Sequence, residues 1–302
     1  MRIAYFTAGT HGAGHMVRGR AILAALERQN VAFEFRIFSP ENSWKELAGD
    51  HLCKVELETD LLRDAQRADS SAIAMALRAW RPDVLLLDLF WVPLSLVTLP
   101  CPTWLLLRSV PAAWLVGPRE ARFDAARYDR IFAIESAPGL ERFESIGPVV
   151  HDEGWPARTR DELCALLLMD SRSPLRLIVQ AGVSTDDALL QAVADRQGGG
   201  FVRVPPFILT PASPWLRTLR HGDEVIAGAG YNLYWESHYF GFHQHMRFVA
   251  LPRKIDDQAW RMAGTYLPAE FSSNGADRLA SQLVKQFGSL KGGVSKGGTG
   301  LE

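Results

Sequence analysis

The sequence predicts an α/β protein made of two Rossmann-like domains that face each other across a cleft. A strand, a glycine loop and a helix follow one another from Ala4 to Ala25, and the same pattern returns from Val225 to Phe240. Residues 83–88 are almost continuously apolar, as strands buried on both faces of a parallel sheet require. Alternating strands and helices therefore predict parallel sheets that carry helices on both sides.

The composition is that of a folded, globular chain. Its 302 residues suffice for two domains of ordinary size, and 47% of them are hydrophobic while 22% are charged. The formal net charge of −1 gives no electrostatic preference for nucleic acid, so nucleic acid is not expected as a partner. The three cysteines are scattered and odd in number, which argues against a disulfide framework and favours a cytoplasmic protein with reduced thiols.

The hydropathy pattern contains no predicted transmembrane segment. The longest apolar runs are too short to cross a bilayer, which leaves peripheral membrane contact open. The chain starts directly with a strand-like run, so no signal peptide is expected. Residues 291–302 are rich in glycine and typical of a vector-derived tail, and the fold prediction leaves them out.

Residues 1–150 are predicted to form the N-terminal acceptor domain. Its expected strands lie at 2–7, 32–38, 83–88, 103–107 and 130–134, and its expected helices at 17–29 and 60–80. The stretch 151–174, which is rich in turn residues around a short helix at 160–168, is the predicted linker.

Residues 175–272 are predicted to form the C-terminal donor domain. Its expected strands lie at 176–180, 201–204, 225–227 and 245–251, and its expected helices at 186–194, 233–240 and 256–264. An amphipathic helix at 274–287, within residues 273–290, is expected to cross back to the first domain.

The second glycine loop is the stretch around which the prediction is built. Gly228, Ala229 and Gly230 let the backbone turn and approach a ligand closely, and Asn232 is the predicted N-cap of the helix that follows. The amide groups and positive dipole end of such a helix suit a phosphate. Glu236, one turn further, is placed to accept hydrogens from two ribose hydroxyls. An ordinary strand-to-helix corner with a solvated Glu236 fits the same pattern.

This stretch resembles the donor-site signature of GT-B glycosyltransferases, above all the lipid II N-acetylglucosaminyltransferase family and its relatives predicted to use UDP-sugars. Gly230 and Glu236 keep the spacing that places the acid on the nucleotide ribose. The resemblance also implies that Asp257 and Gln258 lie near the sugar. Arg253 and its neighbour Lys254 would then add positive charge against the leaving diphosphate.

The first glycine loop, Gly12-Ala-Gly14-His15 with Arg18 after it, resembles the Gly-x-Gly-His-x-x-Arg loop of the same relatives. A UDP-sugar hydrolase family of the same fold has a similar loop. The resemblance implies that His15 faces the cleft and takes a proton from an acceptor hydroxyl or from water, which its near-neutral pKa would allow. A structural His15 bonded to the loop backbone is the alternative, and His11 is the rival base.

Two charged residues end apolar strands at the edge where open α/β sheets bind ligands. Asp88 is a candidate to orient His15 or to bind a sugar hydroxyl, and Arg108 is a candidate to hold an anion. The sequence favours a simpler interpretation, in which Asp88 and Arg108 form an ion pair with each other or take part in a similar ion pair at the sheet edge.

A third loop follows the first strand of the C-terminal domain. The N–H groups of Gly182 and Val183 are candidates to hold a diphosphate together with those of Gly230 and Tyr231. Such binding by backbone amides is consistent with the expectation that no cofactor or metal is needed.

Three histidines, His238, His243 and His245, lie close to Glu236 in the sequence. His243 and His245 alternate on a predicted strand, so a metal site is conceivable, but no cysteine or carboxylate accompanies them at a motif spacing. The segment 241–245 also departs from the family, whose members have Gly-x-Pro there. This departure puts sugar recognition in question.

The sequence therefore predicts transfer of a sugar from a nucleotide diphosphate sugar to a hydroxyl acceptor of unknown identity. The resemblance implies inversion at the anomeric carbon and favours UDP as the nucleotide. Two alternatives stay open, a nucleotide-sugar hydrolase and a non-catalytic protein that binds a nucleotide sugar.

Overall fold

The computed structural model describes residues 1–8, 13–40, 45–111, 123–137, 139–179, 187–205, 209, 211–253, 256–263 and 273–288. These residues form two parallel β-sheets with helices packed on them, and the predicted fold class is confirmed. Along the chain, all strands of the first sheet come before those of the second.

The first sheet has seven strands in the order β3-β2-β1-β4-β5-β6-β7, and every pair of neighbours is parallel. The strands are β1 (Arg2–Phe6), β2 (Glu34–Ser39), β3 (Leu52–Lys54), β4 (Val84–Asp88), β5 (Thr103–Leu107), β6 (Arg130–Ala133) and β7 (Glu144–Ser145). All five residues of β4 and of β5 are buried, which explains their continuous apolar sequence.

The helices around this sheet are α1 (Gly14–Glu27), α2 (Lys45–Ala48), α3 (Thr59–Leu62) and α4 (Ala72–Trp80). The predicted helix over 60–80 is therefore wrong, because α3 and α4 are separate. The Asp64 carboxylate accepts the Gln66 N–H, and Ser71 has an extended backbone where α4 begins. Asp and Ser bond to nearby backbone groups and favour such turns and helix starts over a helix interior.

The second sheet has four strands in the order β11-β10-β8-β9, again parallel throughout. Its strands are β8 (Arg176–Val179), β9 (Val202–Val204), β10 (Glu224–Gly228) and β11 (Met246–Val249). Its helices are α5 (Arg160–Leu167), α6 (Asp187–Arg196), α7 (Ser213–Leu216), α8 (Tyr231–Tyr239) and α9 (Gln258–Met262). The expected strand over 245–251 is shorter, since His243–His245 forms a turn of 3-10 helix before β11.

The helix α10 (Gly275–Phe287) packs on the first sheet rather than the second. Its apolar residues Ala276, Leu279, Ala280 and Leu283 are fully buried in the same core as α1. At its start, Gly275 donates its N–H to the Pro148 carbonyl at 2.8 Å. A Cβ on Gly275 would lie 2.3 Å from the Gly147 carbonyl oxygen, so this close approach requires glycine.

One hydrophobic core joins the two α/β units. The second unit contributes Ala229 and three aromatic residues of α8, which pack with the side chains of α1 and α10. Those aromatic residues are Tyr231, Tyr234 and Trp235. The units are thus in direct apolar contact along α1 and α8.

Within the described part of the chain, every helix is too short or too polar to cross a membrane.

Candidate functional site

The carboxyl ends of β1 and β4 and the start of α1 bring four polar side chains together. Asp88, the last residue of β4, is completely buried and is the centre of the group. His15 Nδ1 lies 2.8 Å from Asp88 Oδ2, and Arg18 Nη2 lies 2.9 Å from the same oxygen. The Tyr5 hydroxyl hydrogen-bonds to Asp88 and is also 2.9 Å from the His15 carbonyl oxygen. Asp88 thus forms an ion pair at the sheet edge, as the simpler interpretation expected, but its cation is Arg18, while Arg108 pairs with Asp256.

Burial and charge determine the ionisation of this group. Burial opposes ionisation of Asp88, but Arg18 and His15 outweigh it and hold the pKa of the carboxyl well below its usual range. Burial also lowers the pKa of His15 to about 4, with Asp88 opposing the shift and Arg18 adding to it. His15 is therefore neutral at pH 7 and Asp88 is ionised.

Arg18 extends the group to the second unit. Its Nη1 donates to Asn232 Oδ1 at 3.0 Å, and Asn232 Nδ2 donates to the Gly14 carbonyl at 3.0 Å. The Arg18 guanidinium also lies 4.9 Å from the centre of the Tyr231 ring. The structure thus brings His15, Gly14 and Arg18 of the first glycine loop next to Tyr231 and Asn232 of the second.

The second glycine loop differs in detail from the prediction. Gly230, rather than Asn232, is the N-cap, because α8 begins at Tyr231 and the Asn232 side chain bonds across the interface instead. A Cβ on Gly228 would lie 2.4 Å from Leu251 Cδ1, so tight strand packing explains this glycine. No described atom lies within 4 Å of a Cβ built on Gly230, which leaves space above the loop.

Glu236 lies on α8 and is only 4% exposed. Burial raises the pKa of its carboxyl to about 8, although the Ser213 hydroxyl opposes the shift by hydrogen bonding. The solvated Glu236 that was one alternative is therefore wrong. At pH 7 the side chain is mainly a neutral acid, which can donate one hydrogen bond and accept others.

The other predicted sugar-binding residues lie around the start of α9. Gln258 is buried, and its Oε1 accepts the Leu251 N–H at 3.0 Å while its Nε2 donates to Asp256 Oδ2 at 3.0 Å. Asp257 is the N-cap of α9 and accepts the Trp260 N–H at 2.9 Å. Arg253 Nη1 donates to the Pro252 carbonyl. Gln258 and Asp257 thus hold the local backbone in place.

Four expected site residues, Gly12, Gly182, Val183 and the rival base His11, lie outside the described residues, as does Lys254. Their assigned roles stay predictions.

A second buried polar network lies beside the first and joins the two units. Glu135 accepts hydrogen bonds from Arg261 at 2.6 and 3.0 Å, from Trp235 Nε1 at 2.6 Å and from the Ser109 N–H at 2.9 Å. Arg261 also donates to Asp256 at 2.8 Å and to the Ala229 carbonyl at 2.7 Å. The two side chains of the Arg261–Glu135 ion pair are completely buried.

Arg108 joins this network through Asp256, whose Oδ1 lies 3.2 Å from Arg108 Nη1. Among the described residues, the buried Nε of Arg108 has no hydrogen-bond partner. Burial lowers the pKa of Arg108 despite the attraction of Asp256.

The sequence analysis missed the roles of Glu135, Asp256 and Arg261. A signal for Glu135 was available, because it follows β6 as Asp88 ends β4 and Arg108 follows β5. Three neighbouring strands thus end at charged residues on one edge of the sheet. For Asp256 and Arg261 the local pattern gives no comparable signal.

The three histidines singled out in the sequence, His238, His243 and His245, do not come together as a cluster of metal ligands in the described structure. His238 and His243 stack with their ring centres 4.6 Å apart, while His245 Nδ1 lies 3.3 Å from the Asp223 carbonyl. No cluster of three or more possible metal ligands occurs within the described ranges.

The two facing parallel units define the GT-B fold, and comparison with known proteins supports this class. No family model and no curated protein sequence matches the chain. A solved UDP-GlcNAc 2-epimerase from Neisseria meningitidis, bound to UDP-GlcNAc, is similar with a TM-score of 0.50 and 11% identity, over 94% of this chain and 92% of that one.

Two further structures are similar to the same extent. A putative UDP-N-acetylglucosamine 2-epimerase from Listeria monocytogenes has a TM-score of 0.50 and 12% identity, over 94% of this chain and 88% of that one. The S. aureus MnaA–UDP structure has a TM-score of 0.53 and 8% identity, over 94% and 87%. At such low identities the structural similarity establishes a shared fold alone, and the specific resemblance to the lipid II transferase family is not confirmed.

Proposed function

We propose that the protein is a glycosyltransferase that binds a nucleotide diphosphate sugar at its C-terminal unit. It transfers the sugar to a hydroxyl acceptor bound by the N-terminal unit. The observation that carries this proposal is the pair of His15 and Asp88, with Nδ1 and Oδ2 2.8 Å apart, at the sheet edge next to Asn232 of the second unit. A carboxylate bonded to Nδ1–H orients an imidazole so that Nε2 can accept a proton.

The charge states of the pair suit this role. A general base must be unprotonated before it acts, and the lowered pKa of His15, about 4, keeps the imidazole neutral at pH 7. Asp88 stays ionised and stabilises the imidazolium that forms when the acceptor hydroxyl loses its proton. The proton leaves the hydroxyl as its oxygen bonds to the sugar and the nucleotide diphosphate departs.

Three observations support a nucleotide donor at the second unit. No described atom lies within 4 Å of a Cβ built on Gly230, so within the described residues a ligand can come close to the backbone there. The N-terminus of α8 begins at the next residue, and its N–H groups and dipole favour a phosphate. Two of the proteins that share the fold were solved with UDP-GlcNAc or UDP bound, which makes UDP the first nucleotide to test.

A second candidate is a protein that binds the nucleotide sugar without transferring it. The burial of Glu236 favours this alternative, because a neutral acid holds ribose hydroxyls less strongly than the carboxylate that the donor-site resemblance implies. Hydrolysis or epimerisation of the nucleotide sugar would be detected in the same experiment that tests transfer.

The test begins with calorimetric binding of UDP, GDP, dTDP and their sugars to the protein. NMR analysis of the products then follows, with a panel of hydroxyl acceptors and with water alone. We expect UDP-sugar binding, and transfer that falls about 100-fold or more in His15→Gln, the usual effect of a positioned base. Donor affinity should change little, because the donor is held by the other unit.

His221→Gln is the matched control, since His221 is exposed on the second unit and should keep full turnover. Full turnover in His15→Gln would exclude His15 as the base. Binding without any conversion would support the non-catalytic candidate, and failure to bind any nucleotide would refute both.

A further inference from the structure

His15 Nδ1 lies within hydrogen-bonding distance of two groups that make opposite demands on it. Asp88 Oδ2, at 2.8 Å, is ionised and can only accept a hydrogen bond. Arg18 Nη2, at 2.7 Å, can only donate one. In a neutral imidazole Nδ1 is either a donor or an acceptor, so it can satisfy only one of the two groups at a time.

Asp88 does not depend on His15 for its hydrogen bonds. The Tyr5 hydroxyl bonds to it, and Arg18 Nε lies 3.2 and 3.0 Å from its two oxygens. With Arg18 Nη2 also 2.9 Å away, the carboxylate is satisfied without the histidine. Nδ1 is therefore available to accept from Arg18 Nη2, and in that tautomer the imidazole proton is on Nε2.

The position of Arg18 depends on the second unit. Asn232 Oδ1 accepts a hydrogen bond from Arg18 Nη1 at 3.0 Å, and the Asn232 amide is oriented by its bond to the Gly14 carbonyl. The guanidinium is planar and rigid, so a contact that holds Nη1 also fixes Nη2 against His15. Asn232 thus acts on His15 through one side chain.

We propose that Arg18 is a positioning residue that sets the tautomer of His15 according to whether Asn232 holds it. While Asn232 binds Arg18, Nδ1 accepts from Nη2 and His15 presents an Nε2–H donor. When Asn232 releases Arg18, Nδ1 takes up a proton from water and donates it in a hydrogen bond to Asp88, while Nε2 loses its proton to water. The net charge of the imidazole is unchanged, and Nε2 is then free to act as a base.

This inference adds a step to the role proposed for His15 as a base. The tautomer change itself does not depend on that role, and only its benefit for catalysis rests on the proposed function. Asn232 belongs to the loop proposed to bind the donor, so a bound donor competes with Arg18 for the Asn232 amide. The base then forms only after the donor has arrived, which limits activation of water in the empty site. Besides Asp88 and Arg18, the titratable or charged described groups near His15 are Tyr5 and Arg108.

The test is ¹⁵N NMR of the imidazole nitrogens at pH 7 without ligand, which distinguishes the two neutral tautomers directly. Loss of signals in His15→Gln identifies the His15 resonances. We expect the Nε2–H tautomer in the wild type. In Asn232→Ala and in Arg18→Gln the ratio should move toward Nδ1–H on the order of tenfold, the effect of losing one charge-assisted hydrogen bond.

Arg20→Gln is the matched control, because it removes the same charge from the same helix but acts on His151 rather than His15. It should leave the tautomer ratio unchanged. If Arg18→Gln fails to fold, Arg18→Lys keeps the charge but loses the planar fork, and it should give the same shift.

Two outcomes overturn the inference, a wild type that already has Nδ1–H as its main tautomer and an unchanged ratio in Asn232→Ala. Neither outcome depends on turnover. A tautomer shift without any sugar transfer would refute the proposed function and leave the inference standing. Sugar transfer without a tautomer shift would refute the inference and leave the proposed function standing.

Discussion

Glu236 is a side chain whose charge is decided by burial more than by a partner. Its pKa of about 8 means that the folded protein keeps the proton in a range where the unfolded chain has lost it. Unfolding therefore releases a proton between about pH 4.5 and 8, and this contribution to stability is lost as the pH rises. His15 and His151 are buried, and burial lowers their pKa values to about 4. They make stability rise with pH, but only below about pH 6.5, where the unfolded chain binds protons that the folded protein does not.

Glu236→Gln should remove the fall in stability that Glu236 causes as the pH rises. Between pH 6.5 and 8 the free energy of unfolding of the wild type should fall by about 1–2 kcal/mol relative to that of the variant. Urea denaturation at several pH values within this window measures the difference.

The control for this experiment is Glu224→Gln, which changes a carboxylate on β10 with 32% of its side chain exposed. The plot of its unfolding free energy against pH should run parallel to that of the wild type. Parallel curves for Glu236→Gln as well would show that Glu236 is ionised in the folded protein.

Among the elements, the buried strands were the most predictable from sequence. The bounds of β5 were predicted without error and those of β4 within one residue, since each contains four consecutive apolar residues, the pattern of a strand buried on both faces. The break between α3 and α4 was missed because the apolar periodicity continues across it. Local hydrogen bonds of Asp64 decide that break, and such bonds compete closely with helix.

The candidate site was predictable where a local pattern marks a side chain. The resemblance of the first glycine loop indicated His15 and Arg18, and the end of an apolar strand indicated Asp88. The contact of Arg18 with Asn232 joins residues 214 positions apart, and the ion pair of Arg261 with Glu135 joins residues 126 apart. Pairings of this kind depend on how the two units dock, which periodicity does not encode.

The start of α10 gives a prediction at the level of the element. Gly275→Ala should destabilise the protein by about 2–3 kcal/mol, because the new Cβ would meet the Gly147 and Pro148 carbonyl oxygens at 2.3 and 2.7 Å. Thermal and urea denaturation measure the loss. Ser281→Ala, on the exposed side of the same helix, is the control and should change stability little. Equal stability of the two variants would mean that the start of α10 can move.

In the whole molecule, the two units are held together by apolar packing of α1 with α8 and by the buried network around Glu135. Such a network stabilises the interface only while every member keeps its partners, because an unpaired buried charge is costly. Loss of one member should therefore cost more than the bonds it makes.

Arg261→Met should lower the free energy of unfolding by about 3–5 kcal/mol, since it leaves the Glu135 carboxylate buried without its cation. The double variant with Glu135→Gln should recover part of this loss, and a double-mutant cycle measures the coupling. Arg247→Met, which breaks a pair with Glu224 at 3.6 Å on the surface, should change stability by about 1 kcal/mol or less. Additive effects of the two buried substitutions would show that the pair is not coupled.

The joint core has a consequence for the order in which the chain can fold on the ribosome. The strand β1 needs β4, whose residues emerge about eighty positions later, as Ile3 pairs with Val84. The helix α1 packs against α8 and α10 as well as against the first sheet and α2, so part of its apolar surroundings is synthesised long after that sheet is complete. At typical rates of synthesis this interval is on the order of 10 s. During this interval we expect the nascent N-terminal unit to expose part of α1, to which chaperones can bind. Synthesis and packing of α10 should then end the need for a chaperone.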